Sequence, residues 1–196
     1  LSLGISPLYL IFALAGIYVA VVGLSGAHLN PIVTVGMMAT RRMSAIRGVL
    51  YLLAQLLGGW IGLIIVNAFR LGSTTSAELP SMVEVTGESF WMVALLELLG
   101  ACVIGFIFAR ALRYARKQPL AFGFAVTSGL TLAVLLVYVI TQGFFAIEGN
   151  TYMFNPVVAL MYQILPTAAD SFGELAGAAG IALAAYVLFP IVGGVI

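Results

Sequence analysis

The chain has 196 residues, of which 63% are hydrophobic and only 8% are charged, and its formal net charge is +1. A soluble domain carries about 25% charged residues, so these values exclude a soluble protein, and the balanced charge excludes a basic protein that binds nucleic acid. The composition predicts an all-α integral membrane protein whose first partner is the lipid bilayer. A single cysteine, Cys102, excludes an internal disulfide and a cysteine-based metal cluster.

Charge-free windows mark the predicted membrane-spanning helices. A helix needs about 20 apolar residues to cross the hydrocarbon core. This length predicts five spans, near residues 5–25, 47–69, 89–110, 119–145 and 173–195. Two further apolar segments, near 30–40 and 155–165, are long enough to cross only about half of the core.

The basic residues predict the orientation of the chain. Seven of the eight lie in two loops: Arg41, Arg42, Arg47, Arg110, Arg113, Arg116 and Lys117. Six of the seven acidic residues lie in the opposite loops: Glu78, Glu84, Glu88, Glu148, Asp170 and Glu174. Loops rich in Lys and Arg face the cytoplasm, so we expect the two basic loops on that side of a multi-pass protein.

The sequence contains an internal repeat built on two Asn-Pro pairs, Asn30-Pro31 and Asn155-Pro156. Each pair follows one span and precedes a half-span, and the two preceding spans run in opposite directions. This arrangement is typical of an inverted repeat, with the first copy in residues 1–70 and the second in 89–196 of a single domain. Three-plus-three symmetry requires one more helix before residue 1, which is absent from this fragment or lost.

The Asn-Pro pairs predict helix starts inside the bilayer. Asn is a favoured N-cap residue, and Pro suits the first helical position. Within the bilayer, such a helix start is tolerated only where it is buried in protein or lines a water-filled cavity. Two half-helices that meet there would each present roughly half a positive charge, which repels cations. A small neutral permeant can still hydrogen-bond to the Asn amides. One Asn-Pro pair usually marks only a kink or a cap, but two in inverted context favour a pore.

The segment from Ser25 to Thr34, which reads SGAHLNPIVT, resembles the first signature loop of the aquaporins, or major intrinsic proteins. Ile32 stands where Ala is usual in that family. The stretch AQLLGG around Gln55 and the stretch PLAFG from Pro119 are similar to further family motifs. The resemblance runs from the family's second helix to its sixth. It implies a right-handed bundle of six helices and two half-helices, usually a homotetramer with one pore per subunit, although a larger membrane complex stays open.

The second signature departs from the family pattern. Water and glycerol channels usually read NPAR there, and the Arg lines the narrowest constriction. This chain reads Asn155-Pro156-Val157-Val158, so Val158 takes the Arg position, and the segment looks more like the superaquaporins and small basic intrinsic proteins. Without the guanidinium, the constriction loses a fixed positive charge and a rigid, planar set of N–H donors. We therefore expect the constriction to be more apolar and either wider or plugged by neighbouring side chains. Small neutral solutes such as glycerol, ammonia and hydrogen peroxide then become candidate permeants besides water.

The other constriction residues follow from counting along the chain. Counting back from the first Asn-Pro pair gives Leu10 for the first-span filter position, and a shift of two residues gives Phe12. The fourth-span filter position is Leu130 when counted forward from Pro119, and Gly143 when counted back from Asn155. Tyr152 is expected at the outer mouth, where its bulk would narrow or close the pore.

Four further side chains have specific expectations. The resemblance implies that Glu97, the only acid within a span, accepts backbone N–H groups from the second half-helix loop, and the alternative is a proton relay. We expect His28 to be a packed loop residue bonded to the backbone, with a metal ligand or pH sensor as the alternative. Tyr51 and Tyr186 are expected to anchor the chain at the membrane interface.

Two functions remain open. The first is a passive channel for water or small uncharged solutes, whose pore residues are Asn30, Pro31, Ile32, Asn155, Pro156, Val157, Val158, Tyr152, Leu10 and Phe12, supported by Glu97 and His28. The second is a structural membrane subunit that keeps the fold and no longer conducts. An anion channel requires a ring of basic residues around its pore, and the sequence indicates no such ring. No nucleophile–base pair, phosphate loop or dinucleotide motif occurs, so we expect neither an enzyme nor a cofactor or metal.

Overall fold

The regular elements of this computed structural model, which describes residues 7–71, 85, 89–145, 152–161 and 181–195, are all helices. They are α1 (Pro7–Ser25), α2 (Pro31–Ala39), α3 (Ala45–Leu71), α4 (Phe90–Ala111), α5 (Pro119–Ile140), α6 (Pro156–Ala159) and α7 (Ile181–Val195). A π-helical turn continues α5 over Thr141–Phe145, and another lies within α7 over Ala184–Leu188. The all-α prediction is confirmed.

Three of the described helices are long and apolar enough to cross a membrane. Their apolar stretches are Ala45–Phe69, Phe90–Tyr114 and Pro119–Gly143. These stretches fall on the three middle spans predicted from the sequence. Ile11–Ser25 and Ile181–Val195 are apolar but shorter, and residues 5–6 and 173–180 of those two predicted spans lie outside the described residues.

The helices pack around α4, which contacts α5 and α7, while α5 also contacts α1. The shorter α2 packs against α7 and α3, and α3 contacts α6 as well. The outer side of α3 presents a row of exposed apolar side chains: Val49, Leu53, Leu57, Ile61 and Ile64. Such a surface suits contact with lipid tails, where leucine and isoleucine are favoured.

Glycines allow α2 and α4 to approach the end of α7 closely. A Cβ on Gly36 would lie 2.6 Å from the carbonyl oxygen of Gly194, and a Cβ on Gly105 would lie 3.1 Å from the same oxygen. A Cβ on Gly194 would in turn lie 2.2 Å from Cγ2 of Ile32. Small residues at helix crossings are typical of membrane bundles, because they let backbones come together.

Tyr186 corrects one expectation. Its side chain is fully buried and packs in a cluster with Val93, Ala94 and Ala159. It faces α4 and α6 and not the lipid interface, so the prediction that it anchors the chain at the membrane surface is wrong. Hydropathy alone could not distinguish these two environments, because both accept an aromatic ring with a polar tip.

Candidate functional site

The two Asn-Pro pairs begin α2 and α6. Asn30 has extended backbone (φ −145°) and its Oδ1 accepts the N–H of Ile32 at 3.0 Å. Asn155 is equally extended (φ −151°), and its Oδ1 accepts the N–H groups of Val157 at 3.1 Å and Val158 at 3.4 Å. A proline follows each Asn at the first helical position. Both pairs thus cap a helix as their residue types favour.

The two caps are joined by reciprocal hydrogen bonds. Nδ2 of Asn30 donates to the carbonyl oxygen of Phe154 at 2.6 Å, and Nδ2 of Asn155 donates to the carbonyl oxygen of Leu29 at 3.3 Å. Each amide therefore binds the carbonyl group just before the other Asn. Because each Oδ1 is already fixed by its own helix, the orientation of both amides is determined by these contacts. The structure brings Asn30 and Asn155 to one place although they are far apart in sequence.

The buried residues around these caps have distinct surroundings. Pro31 and Pro156 are both buried at the starts of their helices. Ile32 is fully buried, and its Cγ2 lies against Gly194 of α7. Ile32 therefore contributes to the packing of α2, and it lines neither of the two cavities described below.

Glu97 of α4 holds the second loop. Its side chain is fully buried, Oε1 accepts the N–H of Met153, and Oε2 accepts the N–H of Phe154 at 3.0 Å. Gly100 lies three residues later on the same helix, and a Cβ there would lie 2.1 Å from the Phe154 ring. One face of α4 thus supplies both the acceptors and the space that this loop requires.

Tyr152 packs against this same loop. Its ring stacks on that of Phe154, with centroids 5.3 Å apart and an interplanar angle of 13°. It is half-buried and packs against a cluster of α4 and α5 residues, against which Leu130 also packs. Phe154 itself has a positive φ of 47°, a conformation that is costly for a bulky residue. The stacking partner and the gap at Gly100 hold it there.

The first loop is held from α3. Nε2 of Gln55 donates to the carbonyl oxygen of His28 and to Oγ1 of Thr34, the latter at 2.9 Å. One turn earlier on α3, the hydroxyl of Tyr51 donates to the carbonyl oxygen of Ser25 at 2.7 Å. The prediction singled out Gln55 only as part of a motif and Tyr51 only as an interfacial anchor, so it missed that both support the loop.

His28 is buried between aromatic rings. Its ring centroid lies 5.2 Å from that of Tyr51 and 5.8 Å from that of Phe108. Nδ1 of His28 and Oε1 of Gln55 are buried without a hydrogen-bond partner among the described residues. The expectation of a packed residue agrees with this burial, but Nδ1 does not bond to described backbone.

A cavity of about 680 Å³ lies between the first loop, α3 and α6. We call it the Asn155 cavity, and its polar lining residues are Ser25, His28, Tyr51, Gln55 and Asn155. The apolar part of its wall includes Gly58, Val157 and Val158, and none of the lining residues within the described part of the chain is charged. Val158 is half-buried.

A second cavity, of about 500 Å³, adjoins the first at Ser25, His28 and Tyr51, which line both. We call it the basic cavity because five cationic residues line it: Arg42, Arg47, Arg113, Arg116 and Lys117. The two cavities together extend from the loops that follow α2 and α4 to the paired Asn caps.

The filter positions obtained by counting have different surroundings. Phe12 is 59% exposed, and its ring packs edge-on against Phe124 at 5.7 Å; it lines neither cavity. Leu10 belongs to α1, but its side chain lies outside the described residues. Gly143 lies in the π-helical turn after α5, with no atom within 4 Å of the place a Cβ would take.

Comparison with known proteins gives a consistent result. The sequence profile described as "Major intrinsic protein" matches residues 5–143, and this match ends before Asn155. Aquaporin AqpM of Methanothermobacter marburgensis is 29% identical over 126 residues, which is 64% of this chain and 50% of that protein. Aquaporin-1 of Bos taurus is 32% identical over 120 residues, 57% of this chain and 42% of that protein. Probable aquaporin PIP2-6 of Oryza sativa subsp. japonica is 32% identical over 136 residues, 63% of this chain and 48% of that protein. The chain thus spans about half the length of these relatives.

Proposed function

The chain belongs to the major intrinsic protein family, and from this premise we propose that it is a passive transmembrane channel for water and small uncharged solutes. It is an integral membrane protein with the family's all-helical fold. The observation that carries the proposal is the reciprocal bonding of Asn30 and Asn155 at the wall of an uncharged cavity.

The polar groups of the Asn155 cavity suit a hydrogen-bonding permeant. An Asn amide has two donors, so the Asn155 side chain keeps one N–H after its bond to Leu29. A passing water or hydroxyl group can accept a hydrogen bond from this N–H at little cost.

The same cavity disfavours ions. None of the described residues that line it is charged, so this part of the wall does not offset the loss of hydration of a charged permeant. The nine-residue α2 adds the positive end of its dipole beside Asn30, which opposes cations. With Val158 in the place of a family Arg, glycerol, ammonia and hydrogen peroxide join water as candidate permeants.

The proposal includes the organisation of the chain. We place residues 1–70 and 89–196 in two inverted repeats of one domain, with the basic loops in the cytoplasm and a homotetramer as the assembly. The supporting observation is that an Asn caps each half-helix and that each Asn amide binds the carbonyl group just before the other Asn.

A pair of glycine variants tests the channel. A Cβ on Gly58 or on Gly62 meets open space, but only Gly58 lines the Asn155 cavity. In stopped-flow shrink–swell assays on proteoliposomes, the unchanged protein should exceed empty vesicles in water permeability. Gly58→Leu should lower this permeability at least several-fold by filling the cavity, whereas Gly62→Leu, one turn away, should leave it unchanged.

The result that contradicts the proposal is equally clear. If folded protein gives the permeability of empty vesicles for water and glycerol alike, the structural subunit without conduction is the correct function. If both glycine variants lose the same fraction of flux, the Asn155 cavity is not the path.

A further inference from the structure

Five of the eight basic residues converge on one cavity. The net charge of +1 conceals this concentration. Arg42 and Arg47 come from the loop after α2 and the start of α3, whereas Arg113, Arg116 and Lys117 come from the segment after α4. All five line the basic cavity of about 500 Å³.

No described carboxylate balances these cations. Glu97 is the only acidic residue that the structure describes, and its carboxylate binds the N–H groups of Met153 and Phe154. Like charges that share a concave site repel one another, and a bound anion relieves that repulsion.

Two of the guanidinium groups are held in position by their neighbours. Arg47 donates to the hydroxyl of Tyr51 at 3.3 Å and lies 5.6 Å from the centre of its ring. Nε of Arg113 donates to the carbonyl oxygen of Arg110 at 3.0 Å. A guanidinium has five N–H donors, so both groups keep donors for a ligand in the cavity.

The orientation rule for membrane loops does not account for the convergence. It explains why these two parts of the chain are basic, but Arg41, after α2, and Arg110, in the last turn of α4, belong to the same basic clusters and do not line the cavity. The gathering of the other five is a consequence of how the helices pack.

The chemistry of the lining indicates the ligand. The planar N–H donors of an arginine guanidinium match the oxygens of a phosphate group in geometry and charge. The cavity wall also contains apolar side chains, among them Leu24, which is 87% exposed, and Leu112. A wall that joins cations to apolar groups at the end of membrane helices suits an amphipathic anion. We infer that the basic cavity binds the phosphate headgroup of an anionic lipid with a phosphomonoester, such as phosphatidic acid.

Two matched double variants test this inference without measuring transport. Arg42→Gln with Arg116→Gln removes two cations from the cavity, and Arg41→Gln with Arg110→Gln removes two from outside it. Purified protein in uncharged detergent is titrated with short-chain phosphatidic acid in a calorimeter, with short-chain phosphatidylcholine as the neutral probe. Each cavity cation should contribute roughly fivefold in affinity, so the first variant should bind about 25-fold more weakly and the second about as well as the unchanged protein.

Each other outcome overturns the inference. Equal weakening by both variants would mean that diffuse surface charge attracts the lipid, and equal binding of phosphatidylcholine would mean that the phosphomonoester is not recognised. Inorganic pyrophosphate separates the sources of phosphate. If it binds as tightly as the lipid, with the same loss in the first variant, the site takes a soluble phosphate and the lipid assignment fails. All four substituted residues are exposed, and an unchanged melting temperature confirms that the variants are folded.

Discussion

Gly36 of α2 lies so close to Gly194 of α7 that a Cβ on Gly36 would be 2.6 Å from the Gly194 carbonyl oxygen. The obstacle is backbone, which cannot rotate aside as a side chain can. This contact fixes the distance of α2 from α7, and Asn30 lies at the end of the same short helix. The placement of the Asn30 amide therefore depends on a crossing well away from it.

Gly36→Ala should separate these helices and destabilise the protein. We expect a loss of about 1–3 kcal/mol, as for other overpacked positions, seen as a lower melting temperature in detergent. Gly16→Ala is the matched control, because Gly16 is also helical and a Cβ there meets nothing within 4 Å. That variant should be neutral or gain up to about 1 kcal/mol from helix propensity. Equal melting temperatures for the two variants would show that the crossing is not tight.

Asn30→Ala should be more destabilising than Asn155→Ala. Both variants lose an N-cap, which contributes about 0.5–2 kcal/mol. Asn30 is 7% exposed and its removal leaves the buried Phe154 carbonyl group without that donor, at a further cost of about 1–3 kcal/mol. Asn155 is half-buried and its bond to Leu29 is longer, at 3.3 Å. Thermal unfolding monitored by circular dichroism measures the order, and the reverse order would contradict this assignment.

Glu97→Gln should weaken the second loop. The carboxylate accepts two N–H groups with its two oxygens, but a Gln side chain has one acceptor oxygen and an NH₂ group that can only donate. We expect a loss of about 1–3 kcal/mol for the N–H left unpaired, together with lower water permeability. A proton relay at Glu97 gives a different pattern: proton flux measured with an internal pH dye would fall while melting temperature and water flux stayed constant.

Val158→Arg should make the Asn155 cavity more selective. A guanidinium introduced beside Asn155 narrows the path and adds donors that water satisfies more readily than a larger polyol does. We expect glycerol flux to fall several-fold more than water flux in the same proteoliposomes. Val158→Met controls for bulk without charge and should lower both fluxes to a similar degree. If Arg and Met act alike, Val158 does not set selectivity.

Much of the fold could be predicted from charge-free windows and helix-start residues. Arg41 and Arg110 bound spans that the structure also places as helices, and the prolines after Asn30 and Asn155 begin α2 and α6 as expected. The family resemblance, carried by the residues from Ser25 to Thr34, is confirmed by the profile match. These features depend on local chemistry, which sequence records directly.

The surroundings of side chains were harder to predict. Counting along a helix gives the position of a residue but not the direction of its side chain. Phe12 was a filter candidate by such a count, and in the structure its ring packs on Phe124. Gln55 donates a hydrogen bond to the first loop, and Gly100 leaves space for the ring of Phe154. Both contacts join residues that are distant in sequence, so counting along the chain does not reveal them.

The reciprocal amide bonds also have a consequence for biosynthesis. Asn30 and its acceptor Phe154 are separated by 124 residues, so a ribosome delivers the first loop to the membrane long before its partner has been translated. Until Phe154 arrives, that loop carries a donor and a carbonyl group that lipid cannot satisfy. The hydrogen bonds between the two loops therefore form in a single late step of synthesis. A product that ends before Phe154 keeps the polar groups of its first loop without these partners.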